Sequence, residues 1–320
     1  MHGYTPPYKI SSKIVTLLGK ICEIVGQIEI IETRSIPLKL RRKNLIKTIT
    51  GTLEIEGNTL GEEKVTAILE GNRVLGSVKE IAEVHGAIKV YEDLSQWHFE
   101  KETDLLKAHS ILMGDILKDV GVYRYAQVGI RGKDGVTHIA PPSDRVPSLM
   151  GDLFEWLKTT KEHPLIVSSV FHYEFEFIHP FSDGNGRMGR LWQSIILHQW
   201  KNFFAFIPIE NVIRSRQQEY YKALEQSGQE GESTFFVEFM LETILMACLD
   251  IEKSNQKSNQ KSNQKILELI ATNPKITIAG LMQELNLSES GIKKIIAKLK
   301  IENKLKRTGS LKGGEWKVIE

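Results

Sequence analysis

Only two cysteines, Cys22 and Cys248, occur in 320 residues, too few for a disulfide scaffold or a cysteine-rich zinc site; the expectation is a reducing, cytoplasmic compartment. No apolar run approaches the roughly eighteen residues of a membrane span. The N-terminal MHGYTPPYKI lacks the basic head and apolar stretch of a secretory signal, so no membrane association is expected. An excess of one charge is missing too: 42 Lys and Arg face 40 Asp and Glu, a net +2 that argues for no partner. The stretch KSNQKSNQKSNQK, from Lys253 to Lys265, contains no apolar residue at all. Nothing in it can be buried. It is a solvated linker or a polar helical extension, and linker is the expectation because Ser and Asn are poor helix formers.

What is present is the composition of a folded soluble chain, 41% hydrophobic and 26% charged. The length favours one sizeable core plus a smaller module. Segments such as SSKIVTLLGKICEIVGQIEII and GEEKVTAILE carry apolar residues at helical spacing. One region breaks the period: in AQVGIRGKDGVTHIAPP, from Ala126 to Pro142, the β-rich pieces QVGI and VTHIA flank a turn-forming RGKDG. Beyond it PSLMGDLFEWLKTT resumes a helical pattern, and HPLIVSSVFHYEFEFI is a strongly apolar run. The fold class expected is all-α, a helical bundle carrying one β-hairpin.

That apolar run leads into HPFSDGNGRMGR, His179 to Arg190. A Gly-Asn-Gly turn lets backbone approach a ligand, and N–H groups at the start of a following helix form an anion site. Arg187 and Arg190, three apart, share a helix face and can grip one anion with two planar forks. Phosphate is the obvious guest. Asp183, just before the turn, is placed to hold a Mg²⁺ bridging phosphate oxygens, and can also cap the helix. His179 has the side chain whose ordinary pKa suits a base near neutral pH. Phe181 reads as a core anchor for the loop, and His163, His172 and His198 read as packing or surface.

The stretch matches in full the HxFx[D/E]GNGRxxR signature of the Fic family, which it therefore resembles; a chance match at a given start is on the order of 10⁻¹⁰. The resemblance extends over most of residues 1–250. It implies an enzyme that transfers AMP from ATP to a protein hydroxyl, with His179 as base, Asp183 as Mg²⁺ ligand, and Gly184, Asn185, Gly186, Arg187 and Arg190 as the phosphate site. YTPPYKI is similar to the family's N-terminal extension, and the 126–142 hairpin to its target-docking flap. RQQEYYKALE resembles the helix that lines the adenine pocket, which points to Tyr221 and Leu224. Many members carry an asparagine soon after that leucine, where SGQEG stands here.

TLEIEGN, Thr52 to Asn58, resembles the family's [S/T]xxxE[G/N] inhibitory motif. The resemblance implies that Glu56 pairs with Arg190 and keeps ATP from seating its γ-phosphate. A carboxylate with a bidentate arginine partner competes with a phosphate for the same fork. Outside this context Glu56 would be a solvated helix-end carboxylate. Reversal of the AMP transfer, with Glu56 orienting a water, is also open. Alternatives are phosphotransfer, against which the intact Gly186 argues, and a DNA-binding regulator whose Fic core only senses nucleotide.

The C-terminal 55 residues are read separately. Helix-like KILELIATNP, TIAGLMQELN and GIKKIIAKLKIENKL precede a Gly-rich KRTGSLKGGEWKVIE, an order resembling a winged helix-turn-helix. Residues 292–307 hold seven basic groups against Glu302 alone, a stripe suited to duplex DNA through Lys293, Lys294, Lys298 and Arg307, although such modules also bind proteins or dimerise. The expected organisation is a helical extension over 1–110 with the inhibitory motif at 52–58, a catalytic core over 111–252, a linker over 253–265 and a winged-helix domain over 266–320. A homo-oligomer is an alternative to the monomer.

Overall fold

A computed structural model of the protein describes residues 4–32, 38–132, 135–285, 287–309 and 313–319. It forms two compact units, Met1–Gly26 with Ile36–Cys248, and Gln27–Ser35 with Leu249–Glu320. The chain runs through α1 (Ser12–Glu32), α2 (Leu38–Ile55), α3 (Gly61–Leu69), α4 (Val78–Tyr91) and α5 (Glu102–Met113). The hairpin β1 (Gly129–Gly132) and β2 (Gly135–Ile139) follows, then α6 (Val146–Thr159), α7 (Pro164–Ile178), α8 (Asn185–Trp200), α9 (Ile209–Ser215), α10 (Gln217–Glu230) and α11 (Thr234–Thr272). A helical fold with a single hairpin in this part is what the periodicity implied. The boundary expected between 110 and 111 falls inside α5.

The hairpin is antiparallel, Gly129 opposite Ile139 and Gly132 opposite Gly135, with a register shift between Ile130 and Arg131. Its strands start one or two residues from the positions expected at QVGI and VTHIA. Residues 133 and 134 of the anticipated turn lie outside the described residues.

α7 and α8 are the centre of the first unit. Leu165, Val170, Phe171 and Phe175 on α7, and Met188, Leu191, Trp192 and Ile195 on α8, are fully buried, as befits helices that are apolar on more than one face. α7 begins with His163, whose Nδ1 accepts from the Leu165 N–H, and with Pro164 in the first turn, where its missing N–H costs nothing. The N-terminal segment is tied to this unit: the Tyr4 hydroxyl donates to Glu174 at 2.8 Å and the Ser233 N–H donates to the Pro7 carbonyl.

The second unit contains the end of α11, then α12 (Ile278–Leu285), α13 (Glu289–Ile301) and the antiparallel pair β3 (Leu305–Thr308) and β4 (Glu315–Val318). Ile266, Ile270, Leu281, Ile292, Ile296, Leu299, Leu305 and Trp316 form its core. Ser288 caps α13 by accepting from the Gly291 N–H. This is the winged-helix order read from the sequence. The expected linker is a correction: residues 253–265 are helical, within α11. Extending a helix that already exists needs no nucleation, and Lys and Gln offset the modest cost of Ser and Asn.

One close approach positions the site described next. A Cβ built on Gly51 of α2 would stand 2.7 Å from the backbone nitrogen of Asn211 on α9, so the two helices touch where no side chain fits. Gly51→Ala is expected to destabilise the protein by about 1–3 kcal/mol, read as a lower midpoint in urea with unchanged slope, because backbone atoms must move to admit one methyl group. A melt like the parent's would show that α2 and α9 can separate without penalty.

Candidate active site

The loop between α7 and α8 is braced from several sides. His179 ends α7 in the left-handed region, φ 52°, a costly conformation for a residue with a Cβ. It is held there because its N–H donates to the Phe175 carbonyl at 2.9 Å while its carbonyl accepts from Arg124 Nε at 2.7 Å. Phe181 is buried as expected, stacked on His109 with ring centroids 3.7 Å apart. Asn185 accepts from the Phe181 N–H and donates to the Phe181 carbonyl, both at 2.8 Å. Its side chain therefore closes the loop, and only its backbone remains for a phosphate. Gly184 precedes α8 with φ 86°, which glycine adopts without strain.

Both signature arginines are buried, Arg187 to 2% and Arg190 to 1% exposure. Arg190 donates through Nε to the Thr52 hydroxyl at 2.9 Å, and through Nη2 to the Thr52 carbonyl at 3.1 Å and to Glu56 Oε1 at 2.6 Å. The contact between Glu56 and Arg190 that the resemblance implies is thus present in the geometry, with Thr52 as a second partner of the arginine. Glu56 follows directly on α2 and is 30% exposed. A Cβ on Gly186 would clash with Glu56 Oε1, so that glycine lets the carboxylate reach the start of α8. Arg187 donates to Glu83 on α4 at 3.0 Å and to Asp183 Oδ1 at 3.1 Å.

Asp183 is 43% exposed and accepts from the Gly184 N–H through Oδ1; the N-cap of α8 is Gly184, with no side-chain cap hydrogen bond, so Asp183 does not take the capping role open to it in the sequence. Behind His179 stands Glu176, its Oε2 3.9 Å from His179 Nδ1 and its Oε1 3.9 Å from His172 Nε2. Burial, with Glu56 adding and Arg190 opposing, pushes the Glu176 carboxyl up to about 8. His172 is itself core, bonded to Gln193 and Tyr220.

Of the adenine candidates, Tyr221 is 48% exposed with its hydroxyl 3.4 Å from the Ile55 carbonyl, next to Glu56. Leu224 is half-buried one turn further along α10. In the second unit, Lys293 pairs with Glu289 and Lys298 with Glu302, while Lys300 and Arg307 lie over the Trp316 ring at 5.1 and 5.2 Å. Lys294 and Lys306 are exposed and make no ion pair among the described residues.

Sequence reasoning missed three braces. Arg124 is buried and ties the hairpin base to the loop, donating to the carbonyls of Ala126, Pro141, Ile178 and His179. Its only signal was an arginine beside the hairpin with no acid near it. Glu83 had no signal in any local pattern. His109 accepts at Nδ1 from the Gly121 N–H, so its Nε2 carries the proton donated to the Asp183 carbonyl at 3.1 Å. Burial lowers its pKa to about 4, against the opposing pull of the Asp183 carbonyl. In the unfolded chain this imidazole protonates near 6.5, so the folded state loses stability as pH falls from about 6.5 towards 4. Relative to His109→Gln, the parent is expected to lose up to about 3 kcal/mol over that window in urea titrations. Parallel pH profiles would show that His109 takes up a proton in place.

The Fic/DOC family profile matches residues 99–197, and that of the winged helix-turn-helix DNA-binding family matches residues 260–302. A crystal structure of a Fic family protein from Desulfovibrio desulfuricans G20 is 41% identical, superposes with a TM-score of 0.76, and is matched over 99% of this chain and 98% of that one. Proteins named protein adenylyltransferase Fic are similar as well. The one from Nematostella vectensis is 28% identical over 70% of this chain and 53% of its own length, and the one from Aedes aegypti 27% identical over 64% and 41%. The chain spans about half or less of the length of these two relatives. No described helix is long and apolar enough to cross a membrane. With a near full-length match on both sides and the braced loop falling inside the matched segment, the chain belongs to the Fic family.

Proposed function

We propose that the protein is an autoinhibited protein adenylyltransferase that moves AMP from ATP to a Ser, Thr or Tyr hydroxyl of a target protein. The observation that carries this reading is the Arg190–Glu56 ion pair beside a complete, braced signature loop. His179 accepts the hydroxyl proton on Nε2, since Nδ1 faces Glu176. The hydroxyl oxygen bonds to the α-phosphorus as the bond from that phosphorus to the bridging oxygen breaks, and pyrophosphate departs. Charge on the departing group is met by N–H groups in the first turn of α8, which have no intrahelical partner, and by Arg187. Catalysis of this kind is chiefly positioning and charge stabilisation. Tyr221 and Leu224 flank the adenine, and the target lies along the hairpin through main-chain pairing that reads little of its sequence.

Mg²⁺ suits this arrangement. No group of three or more His, Cys, Asp or Glu among the described residues could hold a metal, but Mg²⁺ bound with nucleotide needs only one or two carboxylates besides phosphates and water. The hydrogen bonds to the Asp183 side chain both fall on Oδ1, leaving Oδ2 for the cation. When bound, it would neutralise charge on the α- and β-phosphates.

Removing the carboxylate with Glu56→Gly, or only its charge with Glu56→Gln, is expected to raise self-labelling by α-labelled ATP at least about tenfold. His179→Ala in the Glu56→Gly chain should abolish labelling while ATP still binds. If neither Glu56 variant labels itself or a range of targets better than the parent, with ATP bound, Glu56 is not an inhibitor.

A DNA role for the second unit is supported by its winged-helix core and by Lys294 and Lys306, which make no ion pair among the described residues. The full chain is expected to bind duplex DNA with affinity falling steeply as salt rises, and Lys294→Glu with Lys306→Glu should weaken binding and flatten that dependence. Equal affinity for every duplex and for heparin would leave only a solvated basic face.

A further inference from the structure

We propose that Glu83, on α4, is a positioning residue for ATP binding: its buried carboxylate aims the Arg187 guanidinium at the phosphate site. The proposal rests on the reading that Arg187 grips ATP phosphates. The two residues stand 104 apart in the chain, and Glu83 belongs to neither the signature nor the inhibitory motif.

A guanidinium as buried as that of Arg187 is costly unless paired. Glu83 Oε1 takes Nη1 at 3.0 Å and Asp183 Oδ1 takes Nη2 at 3.1 Å. These two carboxylates fix the plane of the fork from its outer nitrogens. Nε is buried with no hydrogen-bond partner among the described residues, a donor left for an incoming acceptor.

Glu83 cannot drift, because its other oxygen, Oε2, accepts from Asn58 Nδ2 at 2.9 Å. Asn58 is pinned in turn: its Nδ2 also donates to the Glu80 carbonyl at 3.1 Å, and its Oδ1 accepts from the Leu60 N–H at 3.1 Å. Asn58 lies two residues past Glu56, across Gly57 with φ 89°. One glycine turn thus sends Glu56 to Arg190 and Asn58 to the partner of Arg187. Without the Glu83 charge, Arg187 has one ionised partner left, Asp183, on a side chain that is nearly half exposed. The fork then follows Asp183 instead of standing ready for phosphate, and preorganisation is lost.

The test is calorimetric titration of the full-length protein with ATP, comparing the parent, Glu83→Gln, Arg187→Ala and the double variant. Glu83→Gln keeps the shape and is expected to weaken ATP binding about tenfold, the scale of one hydrogen bond to a charged group. Arg187→Ala should weaken it at least as much. The double variant should bind no more weakly than Arg187→Ala alone, because Glu83 acts only through that arginine. Losses that multiply in the double variant, or parent-like affinity in Glu83→Gln beside a weakened Arg187→Ala, overturn the proposal. If Arg187→Ala itself binds ATP like the parent, the phosphate-clamp reading falls and this proposal with it, which is a distinct outcome. Should Arg187→Ala not fold, Glu83→Asp takes its place: the shorter carboxylate keeps the charge and is expected to bind with an affinity between those of the parent and Glu83→Gln. Affinity no better than that of Glu83→Gln overturns the proposal.

Discussion

Two guanidinium groups at the start of α8, on Arg187 and Arg190, are withdrawn from water, and the surrounding structure is organised around neutralising them. A buried cation without a partner is among the costliest features a fold can carry. Glu56, Glu83 and Asp183 meet that demand, and Thr52 fills the remaining geometry around Arg190. α2 and α4 must therefore approach α8 closely enough to deliver carboxylates, and Gly51 and Gly186 mark where backbone or carboxylate comes nearer than a side chain would permit.

The same demand bears on the function proposed above. Partners that neutralise these arginines are competitors or supports for a phosphate, depending on whether they can leave. Glu56 sits at the end of α2 and is part exposed, so it can give way to a phosphate at modest cost. Glu83 is buried and held on both oxygens, so it stays. In the function proposed above Glu56 competes with a phosphate and Glu83 supports its binding; both are glutamates, and burial distinguishes them.

The loop itself owes its shape to residues outside the signature. His109 stacks on Phe181 and bonds the Asp183 carbonyl. Arg124 gathers the hairpin base and the His179 carbonyl onto one guanidinium. The strained φ of His179 persists because hydrogen bonds on both sides of it over-determine the backbone. Arg124 thus links the hairpin base directly to the backbone of His179.

Much was legible from sequence alone. The signature from His179 to Arg190 and the helical class with one hairpin follow from local spacing, because turn chemistry and helix period are properties of contiguous residues, whereas the pairing of Glu56 with Arg190 was implied only by the resemblance to the family. Asn185 was legible as a site residue, but its side chain turned out to close the loop, which only the Phe181 backbone could reveal. The KSNQ repeat read as a linker and is helical, since helix propagation from ordered ends outweighs weak local preference. Glu83, Arg124 and His109 were invisible as site residues. Each acts on a partner more than fifty positions away in the chain, His109 on Asp183, Arg124 on His179 and Glu83 on Arg187. The sequence determined that His179, Arg187 and Arg190 stand within one short stretch. Only the tertiary structure decided that Glu83 and Asp183 neutralise Arg187, because a buried charge selects its partner by distance in space and not by distance along the chain.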